Sequence, residues 1–254
     1  MSRVLGAVTC AVMASGVVVG GGSASKPSVA SQRDANALLA ILEEREAELE
    51  KLRRQIERLE WTEDRKLYEV AEILGIVSAV EQSGLPERQR RRVSVAIVRE
   101  ARDNGLDPLL IVALIRAESS FDNYAQSKVG AVGLMQVMPE TGKWMAARRG
   151  RRLIKKTHLF DSELNIEIGT AYLANLLERF GSLEPALVAY NAGPTAARKI
   201  LADRSARARF VAGYPRKIAR ELRRLRAQLK EDTAARVNAA LERGHADVLR
   251  RPSG

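Results

Sequence analysis

The chain has 254 residues, of which 46% are hydrophobic and 29% are charged, and its formal net charge is +11 at pH 7. This length leaves room for one globular domain of about 130–150 residues with flanking segments, and the positive charge indicates an anionic environment such as nucleic acid, acidic lipid or an acidic wall polymer. The single cysteine, Cys10, and the unrelated histidines His158 and His245 argue against disulfides, a histidine-based metal site and a Ser-His-Asp triad, so we expect no metal and no cofactor.

The first 25 residues have the pattern of an export signal. Arg3 precedes an apolar run from Val4 to Val19, and the small residues of Gly20-Gly-Gly-Ser-Ala-Ser25 follow it. We therefore predict a signal peptide at 1–25, cleaved after Ser25. The alternative is an uncleaved membrane anchor formed by residues 4–22, although this run is near the lower length limit for crossing a bilayer.

Residues 26–66 are predicted to form a linker, up to about residue 33, and then a long charged helix. Apolar residues recur along this helix at alternating spacings of four and three over about three heptads, with Arg45 as the polar interruption, and this pattern is typical of a coiled coil. The seam consists of Leu38, Leu42, Leu49, Leu52, Ile56 and Leu59. Two interpretations stay open: residues 38–59 pair in a homodimer, or the helix packs back on its own domain.

A connecting helix is predicted within 67–84, with apolar periodicity from Tyr68 to Val80, and Gly84-Leu-Pro86 ends it. The compact domain then begins near residue 85 and extends to about 217. Strands with period-two alternation are absent there, so we predict an all-α domain. The segment Gly130–Pro139 is rich in glycine and is expected to be a functional loop or a short hairpin. The predicted helices are 86–104, 107–119, 139–148, 163–180, 183–191 and 194–202.

An acidic residue, Glu118, ends the helix that is apolar on every face. Asp107 is a good N-cap, Pro108 suits the first helical position, and aliphatic residues fill the helix from Leu109 to Ile115. A helix that is apolar all round is normally buried. Burial and a helix C-terminus both disfavour a carboxylate, so the pKa of Glu118 should be raised. A carboxyl that stays protonated near neutral pH can act as a general acid.

The last segment, 218–254, is predicted to be a basic helix with a frayed tail at 244–254. Leucines lie between its basic residues, so it is either a solvated helix packed by those leucines or a patch that faces a wall or membrane surface. Seven basic residues lie on one predicted helix here: Arg216, Lys217, Arg220, Arg223, Arg224, Arg226 and Lys230.

Four short motifs follow one another in a fixed order. Taken singly, each has an ordinary structural explanation, such as glycines that turn a loop or methionines that fill a core. Together, their order and spacing resemble the soluble lytic transglycosylase family, whose catalytic domains are related in fold to goose-type lysozyme, over about residues 85–217. The motifs are Glu118-Ser119, Gly133-Leu-Met-Gln136, the helix Asp161…Asn165-Ile…Gly169…Tyr172-Leu173, and Ala189-Tyr-Asn-Ala-Gly193.

The resemblance implies a lysozyme-like helical domain whose cleft binds glycan strands of peptidoglycan. Glu118 would be the sole catalytic acid and base. It would protonate the glycosidic oxygen between N-acetylmuramic acid and N-acetylglucosamine, then deprotonate the C6 hydroxyl of the same muramic acid, which leaves a 1,6-anhydro end. Glycoside hydrolysis usually needs two carboxylates. The other candidate acids, Asp122, Glu140 and Asp161, lie in no motif that suggests such a role.

Further roles are implied by position in the family motifs. The sequence departs from many members before its final tyrosine, with Phe210-Val-Ala where they have Glu-Thr-Arg. Tyr190 and Asn191 would face Glu118, and Ser127 would bind substrate beside it. Gln136, Met135, Met138 and the backbone from Gly133 would line the sugar subsites, and Tyr214 would lie near the cleft.

Three other functions compete with the transglycosylase prediction. A lysozyme-like hydrolase would use the same fold, and a catalytically silent scaffold would hold glycan and recruit a partner in an envelope complex. Nucleic-acid binding is not expected, because no stacking aromatics lie among the basic residues and an export signal precedes the domain. The resemblance and the signal together predict an exported protein of the periplasm or cell envelope.

Overall fold

The computed structural model describes residues 29–150 and 155–249, with side chains over 36–150 and 155–239. All regular elements in these residues are helices, which confirms the all-α prediction. The predicted signal or anchor at 1–25 lies outside the described residues. The elements are α1 Val29–Ile73, α2 Ile76–Glu81, α3 Glu87–Asp103, α4 Pro108–Glu118, α5 Pro139–Arg148, a 3-10 helix Lys156–Phe160, α6 Ser162–Phe180, α7 Leu183–Ala192, α8 Pro194–Ala202, α9 Arg204–Ala212 and α10 Tyr214–Leu249.

The N-terminal helix is longer than predicted. It begins at Val29, inside the expected linker, and passes residue 66 without a break, because no glycine or proline interrupts it before Gly75. Gly75 adopts a left-handed conformation with φ 69°, which ends one helix and starts the short α2. The separate helix predicted from Tyr68 to Val80 is therefore wrong, since its first half belongs to α1 and its second half to α2.

The described residues divide into two units, with the division between residues 58 and 59. In the described part of the first unit, α1 is the only element. The six residues of the predicted coiled-coil seam are between 47% and 70% exposed. Such a row of exposed leucines is unusual on the surface of a monomeric helix.

Within the second unit, α4 is the central helix. The side chain of Asp107 accepts a hydrogen bond of 2.9 Å from the backbone nitrogen of Leu109, which caps the helix start. Every residue from Leu109 to Ile115 is buried, as expected for a helix that is apolar all round. Helices α2, α3 and α10 pack around α4. Glu118 is thereby held at the end of the most buried helix.

The basic C-terminal helix packs on α4 through its apolar face. Ile218, Leu222 and Leu225 are buried, and the arginines between them point outward. This supports a helix packed by its leucines, the plainer of the two interpretations. The helix continues to Leu249, so residues 244–249 are helical where a frayed tail was predicted.

The segment between α4 and α5 is irregular, as its glycines indicated. Isolated antiparallel bridges join Gln126 to Val132 and Val132 to Val137, which gives the short hairpin that was one of the two expectations. This hairpin lies against α6, which Asp161 caps at its start and Gly181 ends in a left-handed conformation. The 3-10 helix and α9 were not predicted.

Candidate active site

Glu118 is the last residue of α4 and is only partly accessible. Burial raises the pKa of its carboxyl above the ordinary value, and this effect outweighs the hydroxyl of Tyr214 and the charge of Lys217, which both lower it. Glu118 therefore stays protonated to a higher pH than an exposed glutamate. This is the protonation state that a general acid needs.

The hydroxyl of Tyr214 donates a hydrogen bond to Oε1 of Glu118. Tyr214 begins α10, so the helix that packs on α4 also brings this hydroxyl to the carboxyl. Burial and then the negative charge of Glu118 raise the pKa of Tyr214, which keeps the phenol protonated and able to donate. A donor in this position stabilises the carboxylate that forms when Glu118 gives up its proton.

Tyr190 and Asn191, which the family motif was expected to bring to Glu118, lie at the end of α7. The hydroxyl of Tyr190 donates to the carbonyl oxygen of Met135 at 2.9 Å, so in this structure it fixes the hairpin, whereas Tyr214 holds Glu118. Burial, followed by the negative charge of Glu118, raises the pKa of Tyr190. Asn191 is exposed.

Lys217 was not identified from the sequence as a site residue. It lies three residues after Tyr214 on α10, about one helical turn, and its amine donates to the carbonyl oxygen of Ala117 at 2.9 Å. Its positive charge lowers the pKa of Glu118 against the effect of burial. Its spacing of three residues from Tyr214 could have indicated that the two side chains share a helix face. Lys217 was overlooked because it lies within a run of basic residues.

Asn165, on α6, holds the backbone of the hairpin through its side chain. Its side chain is fully buried on α6, and its Oδ1 accepts a bond of 2.8 Å from the backbone nitrogen of Met135. Its Nδ2 donates to the carbonyl oxygens of Val132 and Leu159 at 2.9 and 2.8 Å. One buried amide thus bonds three backbone groups, of which the carbonyl oxygen of Val132 also accepts from the backbone nitrogen of Val137 at 3.0 Å.

Two glycines allow the hairpin and α6 to approach each other. Gly133 has φ 77°, and a Cβ built there would lie 2.4 Å from Nδ2 of Asn165 and 2.6 Å from the carbonyl oxygen of Leu159. A Cβ at Gly169 would lie 2.6 Å from Sδ of Met135. The sequence motif therefore contains Asn165 and Gly169 because one bonds the hairpin and the other makes room for it.

Ser119 joins the end of α4 to the same hairpin. Its hydroxyl lies 2.8 Å from the carbonyl oxygen of Leu134 and 3.2 Å from that of Ile115 within its own helix. The residue after the acid therefore couples the position of Glu118 to the Gly133–Gln136 segment.

Backbone strain is concentrated beside the acid. In residues 29–150 and 155–249, the non-glycine residues with positive φ are Ser120 at 52°, Phe121 at 66° and Gln136 at 48°. Two of them lie two and three residues after Glu118, and the third lies in the hairpin. Such conformations persist where the surroundings force them, and they are frequent at functional sites.

Other predicted site residues shape the hairpin or remain at its surface. The amide nitrogen of Gln136 donates to the carbonyl oxygens of Ala125 and Gly133 at 3.1 and 3.0 Å, and the hydroxyl of Ser127 accepts from the backbone nitrogen of Ala131 at 2.9 Å. Met138 is 41% exposed and is accessible to a ligand.

Met135 requires a correction. The sequence interpretation gave its side chain an apolar contact with substrate, but the side chain is completely buried against Gly169. Its volume is needed to fill the space beside this glycine. The group of Met135 that faces the site is its backbone carbonyl, which accepts the bond from Tyr190.

A row of aromatic side chains leads away from Tyr190. The rings of Tyr190 and Tyr172 are 5.5 Å apart, and Trp144 meets Tyr172 edge-on at 6.5 Å. Trp144 is 41% exposed and was not identified from the sequence, because it lies outside the four motifs. The row provides an apolar surface at the edge of the site.

The other acids considered from the sequence have structural partners. Asp122 accepts a bond from the backbone nitrogen of Tyr124, Glu140 pairs with Lys143, and Asp161 caps α6. Among residues whose side chains are described, Glu118 is the only carboxylate with a hydrogen bond to Tyr214. The same part of the chain contains no group of three or more His, Cys, Asp or Glu side chains that could hold a metal ion.

Comparison with known proteins finds similarity over part of the chain. Residues 96–211 match the family model "Transglycosylase SLT domain". The membrane-bound lytic murein transglycosylase C of Edwardsiella ictaluri is 38% identical over 118 residues, which are 42% of this chain and 33% of that protein. The protein of the same name from Sodalis glossinidius is 33% identical over 146 residues, 50% of this chain and 39% of that protein. The chain thus spans about a third of the length of these relatives.

Two solved structures are also similar. An inactive mutant of the lytic transglycosylase Slt from Pseudomonas aeruginosa is 26% identical, with a TM-score of 0.49, over 66% of this chain and 30% of that one. The 70 kDa soluble lytic transglycosylase from Escherichia coli is 24% identical, also with a TM-score of 0.49, over 65% of this chain and 30% of that one.

The close approach at Gly133 gives a stability prediction. Gly133→Ala is expected to lower the free energy of unfolding by about 1–3 kcal/mol more than Gly130→Ala, because its Cβ would collide with Asn165 and Leu159. Gly130 is a matched control, since it has φ 94° in the same hairpin and open space around its Cβ position. Urea denaturation measures both values. If both variants lose the same free energy of unfolding, the cost comes from the positive φ alone, and the predicted collision at Gly133 contributes nothing.

The bond from Tyr214 predicts a shift in pH dependence. Tyr214→Phe removes a hydrogen bond that lowers the pKa of Glu118, so this pKa rises and the alkaline limb of the pH–activity profile moves to higher pH. The maximal rate should fall, because the carboxylate loses a donor. Tyr124→Phe, at an exposed tyrosine, is the control. An alkaline limb that stays in place or moves to lower pH would contradict the assignment.

Proposed function

Because residues 96–211 match the family model of the transglycosylase SLT domain, we propose that this protein is a peptidoglycan lytic transglycosylase. Its substrate is the β-1,4 bond between N-acetylmuramic acid and N-acetylglucosamine, and its product has a 1,6-anhydromuramic end. The observation that supports this most strongly is Glu118, a single acid whose pKa is raised by burial and whose carboxyl is bound by Tyr214. The curated relatives are named as lytic murein transglycosylases.

In the first step, protonated Glu118 donates its proton to the glycosidic oxygen. The bond between that oxygen and C1 of the muramic acid breaks, N-acetylglucosamine leaves as the free alcohol, and positive charge develops at C1. Glu118 becomes a carboxylate at the same moment. Tyr214 and Lys217 both favour this carboxylate, since each lowers the pKa of Glu118.

In the second step, the carboxylate of Glu118 accepts the proton of the C6 hydroxyl on the same muramic acid. The C6 oxygen forms a bond to C1, which closes the anhydro ring and discharges the positive charge. Glu118 ends the cycle protonated, as it began. The nucleophile belongs to the substrate, so no second carboxylate is required, in contrast to ordinary glycoside hydrolysis.

The hairpin and the end of α7 are proposed to bind the sugars. Gln136, Met138 and Asn191 would contact the glycan directly, and Ser127 and Gly133 would hold the hairpin in the shape that presents them. Two observations support this assignment: Gln136 and Ser127 both bond the hairpin backbone, and the side chains of Met138 and Asn191 are exposed.

The proposed organisation keeps five segments: a signal peptide or anchor at 1–25, a linker and coiled-coil helix at 26–66, a connecting segment at 67–84, the catalytic domain at 85–217 and a basic helix at 218–254. We place the protein in the periplasm or cell envelope, in agreement with relatives named as membrane-bound. The described residues form no helix long and apolar enough to cross a membrane.

The exposed seam at 38–59 is proposed to pair with a second copy of the chain. Its leucines recur at coiled-coil spacing and are at least 47% exposed, and burying them in a parallel pair would remove this apolar surface from water. A partner protein of an envelope complex with a matching heptad pattern is the alternative occupant.

The catalytic proposal predicts the products of Glu118→Gln. The protein should release anhydromuramic muropeptides from purified sacculi, and Glu118→Gln should abolish that release, because the amide is neither an acid nor a base near neutral pH. Glu140→Gln, at an exposed glutamate paired with Lys143, is the matched control and should retain activity. Mass spectrometry of the released fragments measures both. Reducing ends in place of anhydro ends would assign the protein to the hydrolases.

The pairing proposal predicts the effect of charges in the seam. The double substitution Leu49→Glu and Leu52→Glu should convert a dimer to a monomer in light scattering, because like charges would meet at adjacent seam positions. Ala47→Glu, on the outer face of the same helix, should leave the dimer intact. A monomeric parent protein, or a dimer that survives the double substitution, would exclude self-pairing through this seam.

A further inference from the structure

A concave region opens beside Glu118, and of its charged residues only Lys217 has a part in the chemistry described above. It has a volume of about 420 Å³ and lies between α2, the end of α4 and α10. Four cationic side chains and one carboxylate contribute to its wall. We call it the basic pocket, and its charged residues are Arg116, Lys217, Arg220, Glu221 and Arg224.

The only carboxylate in this wall, that of Glu221, is already paired with two arginines. Arg224 donates to both oxygens of Glu221, at 3.1 and 2.8 Å, and the largely buried Arg116 donates to it at 2.8 Å. The bonds from Arg224, followed by those from Arg116, lower the pKa of Glu221 to about 2 despite its partial burial. Glu221 therefore stays charged, and a surplus of positive charge remains in the pocket.

The basic pocket shares a wall with the active site. Ala117, which precedes Glu118, lines the pocket and accepts the bond from Lys217, whose charge also acts on Glu118. Ser120 and Phe121 line it as well, and these are the two strained residues that follow the acid. A group bound in the pocket would therefore lie within a few residues of the reacting carboxyl.

We propose that the basic pocket binds carboxylates of the stem peptide carried by the muramic acid that is cut. This inference rests on the proposed function, because it requires the scissile bond to lie at Glu118. The peptide leaves the same sugar whose C1 is attacked, through the lactyl group at C3. Guanidinium groups bind carboxylates in a planar, two-bond geometry, which favours arginine in such a site.

Arg220 and Arg224 are the side chains that test the proposal. Both are exposed to the pocket on α10, and neither contacts Glu118. Arg223 lies on the same helix, is exposed and does not line the pocket, so Arg223→Gln is a control with the same change of charge. Replacing Arg224 also removes its bond to Glu221, which belongs to the packing of the fold. Arg220→Gln is therefore tested alone as well, because it leaves that bond in place.

The experiment compares three soluble substrates by the release of anhydro ends: strands with peptides, strands stripped by an amidase, and strands whose peptide carboxyls are capped as methylamides. The parent protein should have a kcat/KM about tenfold higher on the peptide-bearing strands than on the other two. Arg220→Gln, alone or with Arg224→Gln, should remove this advantage. The loss of about tenfold in kcat/KM on peptide-bearing strands is in the range of one charge-assisted hydrogen bond. The rate of these variants on stripped strands should stay within about twofold of the parent protein's rate. Arg223→Gln should change neither.

Three results would overturn the inference while leaving the proposed function in place. The first is equal cleavage of the three substrates by the parent protein. The second is retention of the full rate on methylamide strands, which would assign the preference to peptide bulk. The third is a loss on stripped strands in the arginine variants, which would assign the pocket to the lactyl carboxylate. Absence of anhydro ends from every substrate would instead refute the proposed function, and with it this inference.

Discussion

The side chain of Asn165 is the interaction on which the site depends. It is buried on α6 and makes three hydrogen bonds to the backbone, at Val132, Met135 and Leu159. These bonds require the hairpin to pack closely on α6, which is possible because Gly133 and Gly169 have no side chains. The fixed hairpin then receives two further bonds, from Ser119 at Leu134 and from Tyr190 at Met135. In this way one amide brings the ends of α4 and α7 to a common place, where unpaired backbone groups would otherwise be costly.

The pKa of Glu118 is set by opposing effects. Burial at the end of an apolar helix raises the pKa of Glu118, whereas Tyr214 and Lys217 on α10 lower it. A group that must first give a proton and then accept one benefits from such a balance, because strong preference for either form would slow one of the two steps. The packing of Ile218 and Leu222 against the core keeps α10 in position, so the balance depends on the same apolar contacts that stabilise the fold.

Local patterns in the sequence were sufficient for most of the helices and for the place of Glu118 at the end of a buried helix. The period of 3.6 residues, Asp107 and Pro108 at a helix start and the glycines between α4 and α5 depend on neighbours in the chain. Contacts between distant elements were not predictable in this way. Tyr214 and Glu118 are separated by 96 positions, and the burial of Met135 depends on the absence of a side chain at Gly169. Periodicity also failed at α1, where a continuous helix and a break at Gly75 replaced the predicted boundary near residue 66.

The central claim is that one acid suffices because the nucleophile is the substrate's own C6 hydroxyl. The most direct measurement is the mass of the new end formed in water enriched in ¹⁸O. If the C6 oxygen attacks C1, the anhydro product incorporates no heavy oxygen and weighs the same in either water. If water attacks, as in a hydrolase with a second catalytic group, the new end gains one heavy oxygen atom, and this result would contradict the account.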